Sequence, residues 1–364
     1  MRRLVCVVMC ALALARGLCT PSGALSTSAA SAILIDAESG RVLYEHNAHE
    51  KRYIASITKL MTALVAMESG HSLDEVVTIK KEYTGAEGSS MYLKAGEELT
   101  LEALMYGLLL ASGNDAALAV AGVCAGSVDA FVSRMNRRAA QLGMENTRFL
   151  NPSGLTQEGP MSTAADMARL AAACMNNETI ARIVGTRSIS IAGRSFTNHN
   201  KLLWQYEGCV GMKTGYTERA GRTLISCAQR NGQRLIVVTL DDGNDWADHT
   251  ALFDYGFSAY TRSPLSVSGQ VLTRVPVVGS LTCFVDVIYG ADVAYPLTKG
   301  EQVRQEISLL NHTALPVVQG GTAGTVTWYL EGRVVGLCPL LYGQSAPRYT
   351  VGKSWLERLM GAFQ

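Results

Sequence analysis

Ser56-Ile57-Thr58-Lys59-Leu60-Met61-Thr62-Ala63-Leu64-Val65-Ala66-Met67 is the stretch from which the rest of the chain can be read. Ile57, Leu60, Met61, Leu64 and Val65 recur at helical spacing, so the run predicts a buried helix beginning near Ser56. Ser56 and Lys59 share one face of that helix, with about 5–6 Å between their Cβ atoms. An amine so placed can take a proton from a hydroxyl. Serine needs a neighbouring base to become a nucleophile. Lysine is such a base only when burial and a second cation lower its pKa. The helix N-terminus adds backbone N–H groups and a positive dipole end beside Ser56. A serine cap followed by a snorkelling lysine has the same spelling. About one Ser-x-x-Lys is expected by chance in a chain this long, so other residues must decide.

On the N-terminal side, Ser31 to Ala37 alternates, Glu38-Ser39-Gly40 turns, and Arg41 to Glu45 continues, which predicts a β-hairpin. Further upstream, Arg2 and Arg3 precede a short apolar core from Leu4 to Ala15. Ser22-Gly23-Ala24 supplies small residues for cleavage. Residues 1–24 therefore read as a secretory signal, whose apolar core is too short to span a bilayer.

On the C-terminal side, Gly85 to Gly96 is polar and glycine-bearing and predicts a loop. Leu101, Leu104, Met105 and Leu108 make a helical face. Ser112-Gly113-Asn114 interrupts, and Asp115 to Cys124 resumes as helix. Ser127 caps a further helix that ends at Gly143, and another starts behind Ser162 and ends near Met175. Residues 56 to about 185 thus read as almost wholly helical. The period then changes to two. Ser188–Ile191 and Ser195–Asn198 predict a hairpin, and Val210–Gly215, Leu224–Ala228 and Leu235–Leu240 predict strands. Asn231-Gly232 forms a hairpin turn between the last two. Asp245 to Tyr260 closes the unit as a helix. A sheet is begun by the first hairpin, interrupted by a helical lobe and completed later. From about Ser263 the composition shifts to Val, Gly, Thr and Pro in short alternating segments, predicting a small all-β domain. Trp355, Leu356, Leu359, Met360 and Phe363 then fall on one face of a tail helix suited to a membrane interface.

Charge is nearly balanced, with 32 Lys and Arg against 31 Asp and Glu. No basic patch calls for nucleic acid and no acidic tail for a cationic partner. Six cysteines lie beyond the signal, Cys124, Cys174, Cys209, Cys227, Cys283 and Cys338. Their irregular spacing spells neither a zinc site nor a disulfide framework. His46 and His49 have a spacing open to metal, but their polar surroundings favour solvent exposure. Asp241-Asp242 reads as a turn.

Three short motifs carry chemistry. Ser-x-x-Lys occurs once at Ser56–Lys59, Ser-x-Asn once at Ser112–Asn114, and Lys-Thr-Gly once at Lys213–Gly215. Each of the last two is expected by chance in roughly one chain in ten of this length, so all three in this order are a strong signal. The set is the signature of penicillin-binding proteins and class A β-lactamases. The chain resembles the serine D-alanyl-D-alanine carboxypeptidases among the low-molecular-mass penicillin-binding proteins. Gly88-Ser89-Ser90-Met91-Tyr92-Leu93-Lys94, Asn200-Lys201-Leu202-Leu203-Trp204 and Gly211 to Thr217 extend the resemblance over nearly the whole mature chain.

The resemblance implies an α+β fold. A β-lactamase/penicillin-binding transpeptidase-like domain, an antiparallel sheet with an inserted helical lobe, would cover 25–262. A C-terminal all-β domain would cover 263–345 and an amphipathic tail 346–364. It implies that Ser56 attacks the carbonyl between two D-alanines of a peptidoglycan stem peptide while Lys59 takes its proton. Ser112 would relay a proton to the leaving amine, and Asn114 would bind the substrate backbone or Lys59. Lys213 would depress the pKa of Lys59 and attract the terminal carboxylate, which Thr214 would also bind. Gly215 would let an extended substrate lie against the strand edge. The backbone N–H groups of Ser56 and Tyr216 would form the oxyanion hole, worth about 3–4 kcal/mol per donor. An acyl-enzyme would form without metal or cofactor. β-Lactams would be ligands, the tail would meet a membrane surface outside the cell, and nucleic acid would be no partner. Many members of the family carry a His after the glycine of the Asn-x-x-Gly-Leu loop; here Asn151-Pro152-Ser153-Gly154-Leu155 is followed by Pro160-Met161. A serine β-lactamase shares the three motifs, but no Glu-x-x-Leu-Asn lies between the second and third to activate water. A silent peptidoglycan-binding protein would not need Ser56, Lys59 and Lys213 together.

Overall fold

The computed structural model describes residues 25–155, 161–310 and 315–348. The expected first hairpin is β1 (Ser31–Asp36) with β2 (Val42–His46). A 3₁₀ turn, Ala55–Thr58, leads into α1 (Lys59–Met67). β3 (Val76–Thr78) and β4 (Glu98–Thr100) pair as a short ribbon before α2 (Leu101–Leu109). That ribbon interrupts the stretch expected to be helical. The lobe continues with α3 (Asn114–Ala125), α4 (Val128–Gln141), α5 (Ala164–Met175) and α6 (Glu178–Gly185). A hairpin of β5 (Ser188–Ile191) and β6 (Arg194–Thr197) and the short α7 (Leu202–Gln205) follow. β7 (Cys209–Thr217), β8 (Gly221–Arg230), β9 (Gln233–Leu240) and α8 (Asp245–Ala259) close the unit.

The sheet runs β2-β1-β9-β8-β7 and is antiparallel throughout. β1 and β9 pair from Ser31–Leu240 to Asp36–Leu235, so strands some two hundred residues apart are neighbours and the helical lobe is an insertion between them. Alternation explains the layering. Ile33 and Ile35 of β1 and Ile236 and Val238 of β9 pack into the lobe. Leu34, Leu235 and Val237 point the other way and pack with Leu252 and Phe253 of α8. β7 is left as the edge strand, next to the Ser56 turn.

α1 runs through the middle of the lobe, and every residue from Lys59 to Ala66 is buried. It is therefore enclosed all round rather than amphipathic. Burial of side chains such as Leu60, Met61 and Leu64 contributes roughly 1.5–3 kcal/mol each. Ser127 caps α4 as expected, its hydroxyl accepting from the Ala130 N–H. The cap of α5 is Thr163, not the preceding Ser162. Ser162 instead pairs its backbone with Arg52. Asn231 and Gly232 both take positive φ, 49° and 76°, as a hairpin Asn-Gly turn requires.

The second unit comprises β10 (Thr261–Ser266), β11 (Val271–Pro276), β12 (Phe284–Tyr289), β13 (Val293–Leu297), β14 (Arg304–Leu309), β15 (Thr322–Leu330) and β16 (Arg333–Tyr342). β10 pairs with β13, and a five-stranded sheet runs β11-β12-β16-β15-β14. Its strand pairing begins at Thr261, and Ala346 still exchanges two backbone hydrogen bonds with Val317. Arg41 joins the two units. Its guanidinium donates to Glu301 and to the Pro296 carbonyl and lies 5.1 Å and 5.3 Å from the rings of Tyr260 and Tyr295. Among the described residues no single helix is long and apolar enough to cross a membrane. The expected signal and nearly all of the expected tail lie outside the described residues.

Candidate active site

Ser56 lies in the 3₁₀ turn rather than in the α-helix proper. Residues three apart eclipse in a 3₁₀ turn, and Lys59 Nζ stands 3.0 Å from Ser56 Oγ. The turn is entered through Ala55 at φ 47°, a left-handed conformation that costs a non-glycine residue energy and collects at functional sites. Gly154 supports it from beneath. At φ 80°, a Cβ on Gly154 would fall 1.9 Å from the Ala55 carbonyl oxygen, so this position admits glycine alone.

The loop that carries Gly154 also completes the lysine's environment. Asn151 Oδ1 accepts from the N–H groups of Ser153 and Gly154 at 3.1 Å and 2.6 Å. This folds the Ser153 carbonyl onto Lys59 Nζ at 2.6 Å. Asn114 Oδ1 accepts from the same nitrogen at 2.7 Å. A neutral lysine has two N–H bonds and one lone pair. The two carbonyl oxygens take the N–H bonds, which leaves the lone pair facing the Ser56 hydroxyl. Burial drives the Lys59 pKa well below its ordinary value, and the charge of Lys213 pushes it the same way, against a smaller opposing pull from Asp115.

Ser112-Gly113-Asn114 sits where α2 hands over to α3. Ser112 takes φ 59° and is buried. Asn114 is held from both ends, its N–H donating to Ser89 O at 2.8 Å and its Nδ2 to Glu87 O at 2.6 Å. Asp115 secures the rest of the expected loop, accepting from Ser90 Oγ, Met91 N and Leu93 N at 2.6, 3.0 and 3.0 Å. The charge-bearing pattern of the sequence gives no role to Asp115, because its three partners are backbone and hydroxyl groups some twenty residues earlier.

Lys213, Thr214 and Gly215 lie on the edge strand β7. Lys213 is fully buried, donates to the Thr214 carbonyl at 2.9 Å and has its pKa pushed down to about 7 by burial. Gly215 lines the cavity, and a Cβ there would lie 2.5 Å from Thr223 Oγ1 and 2.9 Å from Ser56 N, so the missing side chain also lets the strand close on the Ser56 turn.

These pieces surround a cavity of about 410 Å³, lined by Ser56, Ser112, Thr214, Gly215 and Tyr216 together with Ser89, His199, Arg222, Thr223, Asp245 and Trp246. Lys59, Asn114 and Lys213 stand behind this lining. Reasoning from motifs misses His199, Arg222 and the Ser153 carbonyl. His199 sits between Asn198 and Asn200, whose side chains are tied down by backbone hydrogen bonds to Val184 and Leu202. The remaining sequence candidates lie elsewhere. His49 is exposed and pairs with Glu45, and His46 contacts Asn47. Asp241 turns at φ 53°, Asp242 accepts from Ser28 Oγ, and the six described cysteines are unpaired. Among the described residues no cluster of His, Cys, Asp or Glu could hold a metal ion.

Comparison with known proteins gives a consistent result. A family profile described as D-alanyl-D-alanine carboxypeptidase matches residues 19–244. The D-alanyl-D-alanine carboxypeptidase DacF of Bacillus subtilis is 33% identical over 331 residues, covering 87% of this chain and 85% of its own. DacA of Escherichia coli is 35% identical over 347 residues, covering 89% and 85%. Penicillin binding protein 5 of Haemophilus influenzae superposes with a TM-score of 0.74 at 27% identity, over 89% of this chain and 98% of that one.

Proposed function

The chain belongs to the D-alanyl-D-alanine carboxypeptidases, serine-type peptidases of peptidoglycan, and on that premise we propose how its own residues carry out the reaction. The observation that carries the proposal is the set of three contacts at Lys59 Nζ, to Ser56 Oγ, Asn114 Oδ1 and the Ser153 carbonyl. A stem peptide ending in D-Ala-D-Ala lies along β7, with its penultimate carbonyl carbon beside Ser56 Oγ. Lys59 takes the hydroxyl proton as the Oγ–C bond forms. The backbone N–H groups of Ser56 and Tyr216 receive the developing oxyanion. The C–N bond breaks, Ser112 passes a proton to the departing D-alanine amine, and the acyl group stays on Ser56. Water then attacks the ester, and Lys59 again serves as base. Lys213 favours the neutral form of Lys59, and Thr214 donates to the terminal carboxylate. Penicillin, a cyclic acyl donor with a carboxylate of its own, acylates Ser56 in the same pocket and leaves slowly.

The expected signal over residues 1–24 delivers the enzyme outside the cytoplasmic membrane. The expected tail, a single amphipathic helix, gives reversible attachment to the outer face of that membrane. The test is release of D-alanine from a synthetic stem pentapeptide by the wild type, Ser56→Ala and Lys59→Met. D-alanine from the wild type and none from either variant is the expected result. Release by Ser56→Ala at the wild-type rate would overturn the assignment.

A further inference from the structure

We propose that Arg222 is the binding residue that supplies the counter-charge for the substrate's terminal carboxylate, the role that motif spelling gives to Lys213. The inference rests on the carboxypeptidase reading above. An enzyme that removes only the last residue must find a carboxylate one residue beyond the bond it breaks. A permanent cation is therefore wanted on the leaving-group side of the pocket.

Lys213 is badly placed for that task. It does not line the cavity, and its amine is turned onto the Thr214 carbonyl. Arg222 is the one lysine or arginine among the described residues that line the cavity. Its side chain is 43% exposed. On β8 it stands directly opposite Tyr216 of β7, and so on the same face of the sheet as Tyr216 and, two residues along, Thr214. The proposed hydroxyl and guanidinium donors for one carboxylate thus share a face.

The guanidinium is also held in a fixed attitude. Nε donates to Asp245 Oδ2 at 3.1 Å and Nη2 to Asp245 Oδ1 at 2.5 Å, from the first residue of α8. The indole of Trp246 lies 5.6 Å from the guanidinium carbon. Asp245 is itself buried. This grip uses one edge of the fork. Nη1 makes no hydrogen bond to a described residue, so the edge away from Asp245 keeps its donors. Arginine's five N–H groups permit two carboxylates on separate edges, which a lysine point charge does not match. A strut tying β8 to α8 would show the same pairing with Asp245, so the experiment must separate recognition from stability.

The probes are an acylated D-Ala-D-Ala peptide and the same peptide with a C-terminal amide. The reading is kcat/KM for each with the wild type, Arg222→Gln and Arg222→Lys, alongside thermal denaturation. The wild type is expected to prefer the acid, and Arg222→Gln to lose about 30-fold or more of that acid-to-amide ratio. Arg222→Lys, which keeps a charge for Asp245, should fold where the glutamine variant does not and lose about tenfold of the ratio. An unchanged ratio, or an equal loss on both peptides, would make Arg222 a strut and overturn the proposal. A wild type that releases no D-alanine from the acid would instead overturn the carboxypeptidase reading and this inference with it.

Discussion

Gly215 abuts Ser56 so closely that a Cβ on the glycine would stand 2.9 Å from the serine's backbone nitrogen. The Ser56 turn and the edge of the sheet are therefore one fitted joint. Gly215→Ala must push them apart by a few tenths of an ångström, and overpacking of this kind costs about 1–3 kcal/mol. Because the joint carries the Ser56 N–H proposed as an oxyanion donor, acylation should suffer more than stability does. The expected result is a rate of acylation by penicillin at least about tenfold lower, with a modest fall in Tm. Wild-type acylation by Gly215→Ala would refute this role.

Gly154 should tolerate substitution still less. Its positive φ and the 1.9 Å approach of an added Cβ to the Ala55 carbonyl act together. Gly154→Ala is expected to destabilise the protein by more than about 3 kcal/mol, measured by urea denaturation. A smaller loss would mean that the loop moves freely away from the Ser56 turn.

Asp115 holds Ser90, Met91 and Leu93 through its carboxylate. Asp115→Asn turns one acceptor into a donor facing other donors, which costs about 1–3 kcal/mol. The loop it secures supplies the carbonyls that fix Asn114. D-alanine release should therefore fall together with stability, and hydrogen exchange at the Met91 and Leu93 amides should rise. Unchanged protection of those two amides would contradict the account.

The proposed role of Lys59 as base carries a pH response for acylation. In that role Lys59 must be neutral, so the rate is expected to rise with pH through its pKa and to be lost below it. Burial and Lys213 both hold that pKa below the ordinary 10.5. The acid limb of second-order acylation by penicillin should lie well under pH 10.5. Lys213→Gln removes a neighbouring cation and should shift the limb upward. A limb at 10.5 in the wild type, or a downward shift in the variant, would count against Lys59 as base.

Stability has its own acid dependence, through His249. The ring is fully buried between Ser226 Oγ and Thr239 Oγ1, and burial lowers its pKa from 6.5 to about 3. The unfolded chain binds a proton there below pH 6.5 and the folded chain does not until about 3. Stability is therefore intact above 6.5 and falls by about 1.4 kcal/mol per pH unit from 6.5 toward 3. His249→Gln should flatten that part of the denaturation profile. An unaltered slope would show that carboxylates carry it instead.

The layering of the catalytic unit was legible because alternation and helical period survive in the spelling. Ile33 and Leu34 face opposite cores, and the sheet's interruption by a lobe follows from where the period changes. Ser56, Lys59, Ser112, Asn114 and Lys213 were legible as motifs. What escaped were contacts with no local signal. The Ser153 carbonyl reaches Lys59 across 94 residues, and backbone groups have no spelling. Arg222 becomes a site residue only through β7–β8 register and a carboxylate 23 residues on. The fit of Gly215 against the Ser56 turn escaped as well, because the sequence does not say which side of the strand meets that turn.

The most direct measurement is the intact mass of the protein after incubation with benzylpenicillin, for the wild type and Ser56→Ala. A long-lived adduct of one drug molecule on the wild type, absent from Ser56→Ala, is the predicted result. It would identify Ser56 as the acylated nucleophile and show slow deacylation. An adduct on folded Ser56→Ala, or drug hydrolysed rapidly with none retained by the wild type, would contradict the account.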